Sequence, residues 1–122
     1  MPKIMEYLIE NLDMSNIAIL LMFVTGVRIG EVVTLKHTDF DGFTFKIRRT
    51  ETRYRKGDKY VCEVKEFPKS QAGVRTVIIP NEYEWLVKKI RMLNPFSDYI
   101  FVKNGERIHT HSIRMRLRRV CD

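Results

Sequence analysis

Eight consecutive apolar residues, IAILLMFV from Ile17 to Val24, leave this chain little freedom. A helix that is apolar on every side has no face to turn to water, so the rest of the protein must wrap it. The run is far short of the ~20 residues that a bilayer-spanning helix needs. No basic segment and small-residue cleavage site frame it as a secretory leader. It is therefore expected to be the central helix of a packed domain. Asp13 to Asn16 offers capping residues at its start, and Gly26 breaks it at its end.

The flanking pattern supplies elements to do the wrapping. Ile4, Leu8 and Leu12, with Met5 and Ile9 beside them, recur at helical spacing before the run, and Ile29 to Leu35 reads as a short helical segment after it. Periodicity then changes from helix to strand. Phe43, Phe45 and Ile47 alternate with polar residues behind an Asp41-Gly42 turn; Tyr60, Cys62 and Val64 alternate after Lys56-Gly57-Asp58; Val74 to Ile79 closes at Pro80. Three strands joined through turns near Gly57 and Gly73 predict an antiparallel meander. Asn81 and Glu84 are spaced as a capping box for a helix bearing Leu86, Ile90 and Leu93, which stops at Asn94-Pro95. After a short extended piece, Asp98 to Val102, comes a last helix. Ile113, Leu117, Val120 and Cys121 share one face of it, with Arg114, Arg116, Arg118 and Arg119 away from that face. The expected class is α+β, mainly helical with a three-stranded antiparallel sheet on one side. Its helices cover about 3–38, the meander about 43–80 and further helices about 81–122. Cys62 and Cys121 lack any paired spacing and read as reduced packing thiols.

Charge narrows the partners. Lys and Arg number 22 against 15 Asp and Glu, a net +7, which favours a polyanion such as nucleic acid. Within the stretch TGVRIGEVVTLKHTDFD, Thr25 to Asp41, Arg28 sits beside buried positions and needs a reason to be there. One reason is an ion pair with Glu31, one helical turn along. A second is a surface residue that snorkels its charge to water, and a third is convergence with a second cation on an anionic substrate. The stretch FPKSQAGVRTVIIP, Phe67 to Pro80, offers Lys69 at the second strand turn, which alone would read as an ordinary solvated lysine.

Taken together the two stretches resemble the catalytic domain of the tyrosine recombinases, the phage-integrase family. The matching positions are Thr25, Gly26, Arg28, Gly30, Glu31, Leu35 and Asp39, followed by Lys69, Ser70, Arg75 and Pro80. The resemblance implies cleavage of a DNA phosphodiester by a tyrosine hydroxyl, leaving a 3′-phosphotyrosyl link and a free 5′-hydroxyl. It assigns Arg28 as phosphate clamp, Lys69 as general acid to the leaving 5′-oxygen and Glu31 as support that orients the arginine. Those residue types suit the roles: guanidinium is a planar fork that stays charged, whereas an ammonium can give up a proton. Lys65 and Arg75 are expected to add DNA contacts at the sheet edge, facing one groove with Arg28.

No metal or other cofactor is expected. The partners implied are double-stranded DNA and, for an intact enzyme, further copies of itself as a tetramer on DNA. No membrane, no small-molecule substrate and a cytoplasmic, DNA-associated location are expected, in a phage or other mobile genetic element. The family also carries an H-x-x-R box and a downstream tyrosine nucleophile. His111 and Arg114 have the spacing of that box, but the residues after them do not continue it, so they are read as surface residues on the helix that precedes it. Tyr7, Tyr54, Tyr60, Tyr83 and Tyr99 read as packing or surface residues, His109 and His111 as polar loop residues, and Trp85 as a core or groove-edge aromatic. The chain is thus expected to be the first half of a catalytic domain, without its core-binding domain and nucleophile region, and inactive alone. A non-catalytic basic DNA-binding module of the same fold is the alternative.

Overall fold

The computed structural model describes residues 3–67 and 74–121. Its centre is α2 (Met14–Thr25), with Ala18, Ile19, Leu20 and Leu21 wholly buried and Ile17 nearly so. Each such branched side chain contributes about 1.5–3 kcal/mol by leaving water. The ends of α2 are set locally, as the sequence pattern predicts. The Asp13 carboxylate accepts the Asn16 backbone N–H at 2.8 Å, and Gly26 adopts φ 76° and returns its N–H to the Met22 carbonyl.

Around α2 pack α1 (Lys3–Glu10), α3 (Ile29–Val32), α4 (Glu84–Arg91) and α5 (Thr110–Cys121). The start of α4 differs from the periodicity. A 3-10 turn, Asn81–Tyr83, takes up the first residues after Pro80, so α4 begins only at Glu84 and has no side-chain cap. Helix α5 begins at Thr110, and its Arg116 is tied to Asp13 at 2.6 Å and Asn16 at 3.1 Å, so it is not one of a free row of arginines.

The class is α+β with small antiparallel sheets, as expected, but the strands pair differently from a meander. β1 (Phe40–Asp41), β2 (Thr44–Ile47) and β5 (Arg75–Ile78) form the three-stranded sheet in the order β1-β2-β5. β3 (Arg49–Lys56) and β4 (Lys59–Glu66) form a separate hairpin, in register from Arg49↔Glu66 to Lys56↔Lys59. β2 and β3 are parted only at Arg48, so one nearly continuous stretch meets β5 first and β4 next. A short hairpin, β6 (Val102–Lys103) with β7 (Glu106–Arg107), turns at Asn104-Gly105 and leads into α5.

The contact that locks helix to hairpin is a glycine. At Gly30 an added Cβ would lie 2.5 Å from the Thr50 hydroxyl oxygen and 3.1 Å from the Glu51 carbonyl oxygen. Gly30→Ala is expected to cost about 1–3 kcal/mol in a denaturant melt. Thr50→Ala should recover part of that loss when combined with it. A neutral Gly30→Ala would mean that α3 and β3 do not approach this closely.

Candidate nucleic-acid interface

Arg28 occupies the residue before α3, in extended conformation, and its side chain is exposed. Its backbone N–H, not its guanidinium, is what Glu31 holds: the carboxylate accepts that N–H at 2.9 Å and so caps α3. The rest of the Glu31 carboxylate is taken by Arg75, whose two terminal nitrogens each donate at 2.9 Å. The ion pair open in the sequence between Arg28 and Glu31 is therefore made by Arg75. Burial pushes the Glu31 carboxyl up, but the Arg75 bonds, the Arg28 N–H and the charges of both arginines outweigh it and hold it below the ordinary range. Among the described residues, the Arg28 guanidinium makes no hydrogen bond or ion pair.

That guanidinium lines a concavity of about 560 Å³ together with Thr50, Glu51, Arg53, Tyr60, Thr110 and Arg114. Three arginines, from the residue before α3, from β3 and from α5, thus line one hollow. Arg114 is as exposed as its sequence context predicts, but its place beside Arg28 could not be read from its own helix face. Lys65 is exposed on β4 opposite Thr50, and neither it nor Arg75 lines this hollow. Lys69 lies outside the described residues, as does the turn that carries it.

Among the described residues that line the hollow, the one carboxylate, that of Glu51, already has donors on both oxygens. Glu51 Oε1 accepts from Arg107 at 2.7 Å and His109 Nδ1 at 2.8 Å, while Oε2 accepts the Thr110 backbone N–H at 2.8 Å. Burial raises the Glu51 carboxyl, yet these donors prevail and hold it at about 2, against an ordinary 4.5. Cys62 brings its sulfur near, and the Glu51, Cys62 and His109 ligand atoms lie within 4.8 Å of one another. Spacing along the chain gives no hint of this trio. Its carboxylate is already neutralised by Arg107, so a metal ion would have to displace an arginine. A second buried carboxylate, Asp39, is likewise bound by Arg49, at 2.6 and 3.2 Å, with Arg48 at 3.3 Å. With its acid consumed, the concavity presents three cations that call for an anion.

Fold and hollow together define an α+β domain with an arginine-lined hollow. No family model matches the sequence, and no curated protein does. Solved structures do match. The Tn1549 transposon integrase in complex with a circular intermediate DNA superposes with a TM-score of 0.71 at 18% identity, over 96% of this chain and 40% of that one. The same integrase in complex with transposon right end DNA gives 0.67 at 21% identity, over 93% and 40%. The XerA recombinase gives 0.59 at 26% identity, over 96% and 39%. The chain has a partial tyrosine-recombinase fold and spans about 40% of the length of these structures. No described helix is long and apolar enough to cross a membrane.

Proposed function

We propose that the chain is the amino-terminal half of the catalytic domain of a site-specific DNA recombinase. The longer protein would cut and rejoin double-stranded DNA through a 3′-phosphotyrosyl intermediate, as a tetramer on DNA, in moving a mobile element. The observation that carries this reading is the exposed Arg28 side chain in a hollow shared with Arg53 and Arg114. The likeness to DNA-bound integrase structures supports it.

In this reading Arg28 donates two bonds to the non-bridging oxygens of the scissile phosphate, where charge builds in the transition state. Lys69 protonates the departing 5′-oxygen. Glu31 positions Arg28 through its backbone N–H, and Arg75 holds Glu31. Arg75 and Lys65 then serve DNA binding only at the edge of the site.

The test is an adduct assay. A longer protein containing this chain, incubated with supercoiled DNA bearing its site, should yield a covalent protein–DNA complex, and this chain alone should yield none. Salt-dependent duplex binding by both, with no adduct from the longer protein, would favour the non-catalytic binding module. An adduct on this chain alone would overturn the assignment of the nucleophile to another segment.

A further inference from the structure

The far half of the β3–β4 hairpin supports no core. Every residue from Arg53 to Tyr60 is exposed, so aromatic side chains there contribute little to folding. Tyr60 is 62% exposed, and the Arg53 guanidinium lies 4.2 Å from its ring centroid. The register explains the pair. Arg55 faces Tyr60 and Arg53 faces Cys62, so Arg53 and Tyr60 are diagonal neighbours on one face of the ribbon. Stacking on the cation favours this orientation of the ring, in the lining of the hollow that Arg28 and Arg114 share.

We propose that Tyr60 and Arg53 form a stacking platform for an unpaired nucleotide of the strand whose phosphate Arg28 holds. The proposal rests on the reading of Arg28 as a phosphate clamp. Within a duplex, both faces of a base are covered by its neighbours, so an aromatic ring on a protein wall finds no face to stack on. A base that has left the stack offers one, and a planar ring with an arginine beside it accepts any base. Arg28 and Arg114 supply the charge that draws the strand in, and Arg53 adds charge to the platform itself. The Glu51 carboxylate does not oppose this, since Arg107, His109 and the Thr110 N–H consume it.

Binding of this chain to two fluorescent DNA probes tests the platform: a blunt duplex, and the same duplex carrying a short bulge of unpaired nucleotides. Tyr60→Ala should weaken bulge binding by about 5- to 100-fold and leave the blunt duplex nearly unchanged. Tyr60→Phe should behave as the parent, because the ring and not the hydroxyl does the stacking. Arg28→Ala should weaken both probes alike. Equal losses on both probes for Tyr60→Ala, or a Tyr60→Phe loss as large as that of alanine, would overturn the proposal. If Arg28→Ala slows strand cleavage in the longer protein no more than it weakens binding while Tyr60→Ala remains selective for the bulge, the clamp reading fails and the stacking of an unpaired base on Tyr60 stands without it. Circular dichroism of the Tyr60 variants should match the parent, since the residue lies on an exposed tip.

Discussion

Arg28→Ala, made in a protein that joins this chain to its nucleophile segment, is expected to slow DNA strand cleavage by about 100- to 1,000-fold, the usual effect of removing one preorganised donor to a developing oxyanion. Duplex affinity should fall far less, because one phosphate contact among several is lost and the salt slope changes by only about 1. Folding should be untouched. The guanidinium is exposed and makes no ion pair among the described residues, while the backbone N–H that Glu31 holds is unaltered by the substitution. Arg28→Lys restores the charge but not the two-pronged fork, so it should recover binding more than cleavage. Single-turnover cleavage and anisotropy on the same DNA measure the two quantities. Equal losses in both would reduce Arg28 to a general phosphate contact.

The second large effect concerns stability. Glu51 has a fully buried side chain, and Arg107, at 11% side-chain exposure, is nearly so. Glu51→Gln leaves Arg107 buried without its counter-charge, which costs about 3–5 kcal/mol and should lower Tm by roughly 10–20 °C in a chain of this size. The pH dependence has a definite sign. The Glu51 carboxyl ionises at about 2 when folded and near 4.5 when unfolded. Its contribution is therefore complete above about pH 4.5 and is lost as pH falls toward 2. Denaturant midpoints measured across that window should converge for the parent and Glu51→Gln as acid is added. A constant gap at every pH would show that the ionised carboxylate is not what stabilises the fold.

How much of this was legible beforehand depended on the range of the interaction. Helix α2 was readable because Asp13 and Gly26 signal its ends within one turn of the chain and the apolar run admits no other fate. A three-stranded antiparallel sheet is there, but four described strands occupy the stretch read as a three-strand meander, and their partners differ from it. Alternation shows which face a residue takes and is silent on which strand lies beside it. β3 was missed because its inward positions are Arg49 and Glu51, charged residues that look like solvent-facing ones. They are buried because each finds an opposite charge, Asp39 for Arg49 and Arg107 for Glu51. The Arg28 motif was found from pattern, whereas Arg114 and Tyr60 beside it come from elements that fold back across the chain. Only the alternation of Tyr60 with Cys62 and Val64 pointed to a strand, and nothing in it pointed to the hollow.

One experiment tests the division of labour between Arg28 and Lys69 directly. A DNA substrate with sulfur in place of the 5′-bridging oxygen releases a thiolate, which leaves without needing a proton. In the longer protein, Lys69→Ala should fail on ordinary DNA but cleave the sulfur substrate at close to the parent rate. Arg28→Ala should fail on both, because phosphate charge still needs its clamp. If the sulfur substrate rescues neither variant, or rescues Arg28→Ala as well as Lys69→Ala, the pairing of one guanidinium clamp with one ammonium acid is contradicted.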